Sequence, residues 1–178
     1  GLGISVVSAL STYLKVTVCR DGKEYSQEYS KGKATSKLKK VGKCKKTGTT
    51  IIFEPDSEIF RDLKFNKKKI KNYLRQQAYL TKGLKVIFRD ETINPPIDYT
   101  FFFEGGITSY LKYLIGNKDL THKDVFYCNK KEDDIVVEVA FVYTDDYESS
   151  ENTFVNNINT SGGGSHLTGF RAALTRTV

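Results

Sequence analysis

Apolar and polar positions change period several times along this 178-residue chain, and each change marks an element. Near the start, Ile4, Val7, Leu10 and Leu14 recur at helical spacing with Val6, Ala9 and Tyr13 beside them. This predicts a helix buried on a wide face and stopping near Lys15. Residues 15–20 then alternate with period two, Asp21-Gly22 is a hairpin signal, and residues 24–29 return as a second strand. Beyond a lysine-rich stretch, Thr47-Gly48-Thr49-Thr50 feeds the strand Ile51-Ile52-Phe53, which Pro55-Asp56 ends. From Asn66, an N-cap residue, Ile70, Leu74, Gln77-Ala78 and Leu80-Thr81 read as an amphipathic helix, with Gly83 at the C-cap.

The second half repeats this mixture. Leu84 to Asp90 reads as a strand and Asn94-Pro95-Pro96 forces a loop. Tyr99 to Phe103 is a strand whose aromatic run predicts burial on both faces. Glu104-Gly105-Gly106 interrupts the pattern and a helix, Ile107 to Ile115, follows. A boundary placed there divides the chain into 1–103 and 104–178. Next come a strand around Val125 to Cys128, a turn at Lys131 to Asp133, a long strand Ile135 to Tyr143 and an exposed polar loop from Asp145 to Asn152. Phe154 to Asn159 reads as a further strand. Gly162-Gly163-Gly164-Ser165-His166 turns into a last helix from about Leu167. The fold class expected is α+β.

Composition narrows the picture only a little. A net charge of +7 fits an anionic partner, nucleotide or nucleic acid, without choosing between them. Much of it is local: Lys31, Lys33, Lys37, Lys39, Lys40, Lys43, Lys45 and Lys46 fall in one stretch without an acid. No aromatic residues interleave with these lysines, so the stretch reads as a solvated, mobile loop. Cys19, Cys44 and Cys128 are far apart, odd in number and without a Cys-x-x-Cys pair, and are read as reduced thiols. No apolar run reaches transmembrane length and no signal peptide is visible, so a cytoplasmic protein is expected. The absence of methionine, even at position 1, reads as a piece of a longer protein.

Candidate chemistry is concentrated at the front. Gly1-Leu2-Gly3 followed by Ile4-Ser5-Val6-Val7 is a glycine-bracketed turn entering an apolar helix. A tight turn explains it, and so does a phosphate held by main-chain amides at the positive end of the helix dipole. His122 and His166 are the only histidines; His166, between a glycine-rich turn and a helix, lacks any accompanying nucleophile motif and reads as structural. Asp133-Asp134 and Asp145-Asp146, as strand neighbours, would point to opposite faces and make poor metal pairs.

In order, the motifs Gly1-Leu2-Gly3 with Ser5-Val6-Val7, Lys46-Thr47-Gly48-Thr49, Leu80-Thr81-Lys82-Gly83-Leu84, Phe103-Glu104-Gly105-Gly106-Ile107, Phe154-Val155-Asn156-Asn157-Ile158 and Gly163-Gly164-Ser165-His166 with Gly169-Phe170-Arg171-Ala172-Ala173-Leu174 span essentially the whole chain. Together they resemble the ATPase region of the ATP-binding subunits of type IIA topoisomerases, those of DNA gyrase and topoisomerase IV. The resemblance implies part of a Bergerat-type (GHKL) ATPase α/β sandwich over 1–103. Over 104–178 it implies the beginning of a β-α-β transducer domain of ribosomal-protein-like fold.

It further implies ATP as ligand, with Gly1, Leu2 and Gly3 donating main-chain N–H groups to the phosphates and Ile4 lining the pocket. Thr49 would reach the adenine through a water, Ile51 would pack nearby, and Arg20 would stand at the pocket mouth where nucleotide-competitive inhibitors bind. The general-base glutamate, the Mg2+-binding asparagine and an adenine-binding aspartate are expected upstream of Gly1. No catalytic residue and no metal ligand is therefore assigned here, and the piece alone is expected not to hydrolyse ATP. Ser165 stands where the family usually has threonine. The implied partners of the parent are DNA, a second copy in a homodimeric clamp and the DNA-cleaving A-type subunit, with no membrane. A non-catalytic nucleic-acid-binding module and a degenerate nucleotide-binding relative are the alternatives.

Overall fold

The computed structural model describes residues 2–145 and 149–177, which divide into two compact units, Gly1–Phe65 and Asn66–Val178. The boundary expected at 103/104 falls inside the second of these.

The first unit is a short helix and one antiparallel sheet. Helix α1 spans Leu2–Ala9, and strands β1 (Ser11–Arg20), β2 (Lys23–Ser30), β3 (Lys33–Ala34), β4 (Lys39–Lys43) and β5 (Gly48–Pro55) follow. The sheet order is β3-β2-β1-β5, with β4 also on the outer edge of β2. The helix expected to run to Lys15 stops at Ala9 because Leu14 has partners on both sides of a ladder, Tyr29 in β2 and Phe53 in β5. Leu14 is 1% exposed there. The Ser11 hydroxyl donates to the Val7 carbonyl at 2.6 Å, a side-chain bond that competes with further helix. Nor is α1 buried on a wide face: Leu2, Ile4 and Val6 are exposed and only Ser8 is buried. The lysine-rich stretch is a second correction. It is not one mobile loop, since β3 and β4 add backbone ladders to the free edge of β2.

The second unit is built from hairpins and three helices. Helix α2 spans Lys67–Leu80, β6 and β7 are Val86–Asp90 and Ile97–Phe101, and α3 spans Gly106–Ile115. Strands β8 (Phe126–Glu132) and β9 (Ile135–Phe141) pair antiparallel, β10 (Phe154–Val155) and β11 (Ile158–Asn159) form a short hairpin, and α4 spans Ser165–Thr177. Asn66 caps α2 as expected, its Oδ1 accepting from the Lys69 amide at 2.9 Å. The cap at the other end is Thr81, and Gly83 follows in the next turn at φ +81°. The aromatic run of β7 is not buried on both faces: Phe101 is buried and Phe102 is 46% exposed. The strand expected over 154–159 instead folds back on itself. Asn156 and Asn157 take positive φ, 49° and 64°, the backbone that a two-residue hairpin turn demands and asparagine tolerates. Asn157 then ties the hairpin to α2, its carbonyl accepting from Gln77 Nε2 and its amide donating to Thr81 Oγ1.

The core of this unit is aromatic. Tyr79 stacks on Phe103 with ring centroids 3.6 Å apart, and Tyr110 and Tyr113 of α3 flank it. At the other end of α2, Lys67 pairs with the buried Asp90 at 2.7 Å, and Asp90 also accepts from the Thr92 amide and hydroxyl. Lys67 and then Thr92 hold the Asp90 carboxyl down at about 2. Because the folded value lies below the ordinary 3.8, this contribution is fully present above 3.8 and fades as the pH falls toward about 2. Chemical denaturation of wild type and Asp90→Asn at a series of pH values should therefore show a stability gap that is constant at neutral pH and closes over that window.

Candidate functional site

Strand β5 gathers part of the expected site. Thr49 lies opposite Val18 and Ile51 opposite Val16, and residues two apart on a strand share a face. Thr49 and Ile51 therefore stand on the sheet face that carries Val16, Val18 and Arg20. On β2, Lys23, Tyr25 and Gln27 are the register partners of Arg20, Val18 and Val16. With Leu38 and Tyr29 these β1 and β2 residues line an open concavity of about 440 Å³. Its floor is apolar and aromatic, and its rim carries Arg20 and Lys23 beside Asp21. Arg20 has only a 3.8 Å contact with Asp21, and its side chain is 79% exposed. Such a surface suits a flat, partly apolar ligand that carries negative charge.

Leu2, Gly3 and Ile4 are not a turn ahead of the helix, as expected; they are the first turn of α1 itself. Their amides therefore have no acceptor inside the helix, and they sit at its positive end. Gly3 has ordinary backbone and a Cβ added to it would meet nothing within 4 Å. No conformational requirement of the chain itself asks for glycine at that position. Gly1, the remaining residue of the expected phosphate loop, lies outside the described residues.

The other end of α1 is fixed. The Gly32 amide donates to the Ser8 carbonyl and the Asp56 amide to the Leu10 carbonyl, both at 3.0 Å. Asp56, 1% exposed, accepts from the Glu58 amide at 2.9 Å and pairs with Lys31 at 3.0 Å. These two partners, the amide foremost, hold its carboxyl below the usual range. Among the described residues no hydrogen bond joins the first turn of α1 to β1 or β5. The structure thus brings Thr49, Ile51 and Arg20 onto one face and leaves Leu2, Gly3 and Ile4 at an exposed helix start.

Sequence reasoning missed one feature beside this site. Cys19 and Cys44, expected to be reduced thiols, form a disulfide with Cα atoms 5.9 Å apart. Their separation in sequence hides their proximity: β4 returns along β2, and the connection to β5 then passes the end of the β1–β2 hairpin. The pairing of β4 with β2, whose Glu24 is the register partner of Cys19, is what brings them together. Cys128 is free and exposed. His166 hydrogen-bonds Thr160 Oγ1 at 3.1 Å, the structural role expected of it, and His122 Nε2 accepts from the Tyr143 amide at 2.9 Å. Asp133 and Asp134 are the turn between β8 and β9 and not strand neighbours, while Asp146 lies outside the described residues.

Comparison with known proteins adds the family. The model of the family described as DNA gyrase B matches residues 106–178. The DNA gyrase B protein of Borreliella burgdorferi is 40% identical over 176 residues, covering 99% of this chain and 28% of that protein. The crystal structure of the 43K ATPase domain of Thermus thermophilus gyrase B, solved with an aminocoumarin, is 39% identical with a TM-score of 0.88. That match covers 99% of this chain and 48% of the other. The topoisomerase IV ATP-binding domain of Francisella tularensis is 32% identical with a TM-score of 0.83, covering 97% and 46%. The chain thus spans less than half the length of each of these relatives. With the α+β architecture and antiparallel sheets described above, these similarities mean that the chain belongs to the family of DNA gyrase B and its topoisomerase IV counterpart, within the ATPase region of those proteins.

Proposed function

We propose that this chain is part of the ATP-binding subunit of a type II DNA topoisomerase. In this reading the first turn of α1, with Leu2, Gly3, Ile4 and the preceding Gly1, meets the phosphates. Thr49 and Ile51 meet the base, and Arg20 stands at the mouth. The observation that carries it is the β1–β5 register, which lays Thr49 and Ile51 on the face that holds Arg20. The first-turn amides of α1, which have no acceptor within the helix, and the open space around Gly3 support the phosphate side.

The division at 103/104 belongs to the same reading, with an ATPase part before it and the start of a transducer after it. In the parent, ATP binding closes two subunits over a DNA segment, hydrolysis resets the clamp, and the transducer passes the state to the DNA-cleaving A-type subunit. No helix of the described residues is long and apolar enough to cross a membrane, and the proposed setting is the cytoplasm. Among the described residues no group of three His, Cys, Asp or Glu side chains is placed to hold a metal; in this reading Mg2+ arrives with the nucleotide and its protein ligand lies upstream of Gly1.

A second reading, a non-catalytic nucleic-acid binder, is favoured by one observation. Lys37, Lys39, Lys40 and Lys43 lie exposed on and beside the edge strand β4 without an ion-pair partner among the described residues. Edge lysines also discourage sheet-to-sheet association, which explains them without DNA. Replacing all four by Gln in the full-length protein separates the readings. Together with the A-type subunit, the variant should change plasmid linking number with ATP at a rate within about twofold of wild type. The binder reading expects instead no ATP-driven change in either protein, and a salt slope of DNA affinity shallower by about 3 to 4 in the variant.

A further inference from the structure

The Cys44–Thr47 segment has an unusual position in the first unit. It leaves β4, which is bonded to β2, and enters β5, which is bonded to β1, so it must pass the Asp21-Gly22 end of the β1–β2 hairpin. Among the described residues two links hold it there. One is the backbone bond from the Cys44 amide to the Gly22 carbonyl at 3.1 Å, and the other is the disulfide to Cys19. Lys45, Lys46 and Thr47 are exposed, and their side chains make no hydrogen bond among the described residues. Directly after the segment, Gly48 pairs with Cys19 itself and Thr49 with Val18.

The charge around the two sulfurs favours opening. Cys44 lies between Lys43 and Lys45 with Lys46 beyond, Arg20 follows Cys19, and Lys23 is the register partner of Lys43. The nearby acids are Asp21 and Glu24. A net positive neighbourhood stabilises thiolates, which favours the reduced pair and speeds exchange. Both cysteines are only half-buried, so a reagent can reach them.

We propose that the Cys19–Cys44 disulfide is a reversible thiol–disulfide latch that fixes the Cys44–Thr47 crossover, and with it the start of β5 that carries Thr49, against the end of β1. A dithiol reductant opens it by exchange through a mixed disulfide. Two electrons and two protons pass to the pair, leaving Cys19 and Cys44 as thiols while the reductant closes its own disulfide. A small disulfide such as oxidised glutathione closes the latch again and leaves as two thiols. The effect on nucleotide binding rests on the function proposed above, through Thr49; the latch itself does not.

Limited trypsin digestion of the full-length protein tests the latch without nucleotide. One sample is oxidised and one is reduced with a dithiol and alkylated. In the reduced sample cleavage after Lys43, Lys45 and Lys46 should be at least about tenfold faster, with cleavage after Lys69 and Lys71 inside α2 unchanged. Cys19→Ser and Cys44→Ser should each cleave at the fast rate with or without reductant, and oxidised glutathione should restore the slow rate to reduced, unalkylated wild type. Equal rates in the two samples overturn the proposal. So does a pair that stays oxidised in a dithiol concentration at which Cys128 is alkylated and α2 remains protected.

Discussion

Tyr79→Ala is expected to destabilise the second unit by about 3–5 kcal/mol, the range for removing a large aromatic side chain from a core. Tyr79 is 6% exposed, lies face to face with Phe103 at 3.6 Å and 14°, and has Tyr110 and Tyr113 within 5.2 and 5.7 Å. Its neighbour Ala78 is fully buried as well, so this stretch of α2 lies within the close-packed core. Arg75 reinforces the same group, donating to the Tyr113 hydroxyl at 2.8 Å and covering the rings of Phe101 and Tyr113. Small domains are held by only about 5–15 kcal/mol in total, so a loss of this size removes much of the margin. Tyr73→Ala, on the same helix but 60% exposed, should change stability by no more than about 0.5 kcal/mol. Denaturant unfolding followed by near-ultraviolet circular dichroism checks both, and equal effects would mean that the aromatic cluster is not the core of this unit.

The parts of the fold that are legible in the sequence are those decided within a short stretch. Asn66 and the apolar face from Ile70 onward suffice for α2, since the cap and the packing stripe lie inside the helix itself. Gly105-Gly106 and the following apolar run likewise mark α3, and Asp21-Gly22, with φ of 52° and 72°, marks the first hairpin. The errors share another cause. Leu10 and Leu14 continue a helical spacing, yet Leu14 also begins a period-two series through Val16 and Val18. The choice is made by Phe53, 39 positions away in the ladder. The lysine stretch reads as loop because its strands exist only through their pairing with β2, and Cys19 finds Cys44 by the same route. Of the site, Thr49 is on its own merely a good strand former; the family resemblance singles it out, and the register then explains its neighbours. For Gly3 the sequence leaves a tight turn and a phosphate loop side by side, and the helix makes it a question of space outside the chain.

That difference gives the second large effect its form. Gly3→Val should leave the fold intact, because the position has ordinary helical backbone, an added Cβ meets nothing within 4 Å, and valine is a somewhat better helix former than glycine. The same substitution should remove nucleotide binding from the full-length protein. A branched side chain there fills the space through which a phosphate would approach the amides of Leu2, Gly3 and Ile4. Two charge-assisted hydrogen bonds at about 1.5–3 kcal/mol each correspond to a loss of at least about 100-fold in affinity. The most direct measurement is calorimetric titration of the wild-type and Gly3→Val full-length proteins with a non-hydrolysable ATP analogue, beside a melting curve of each. Matching melting curves and a loss of affinity of that size are expected; an unchanged affinity in a folded Gly3→Val protein would rule out a phosphate site at the start of α1.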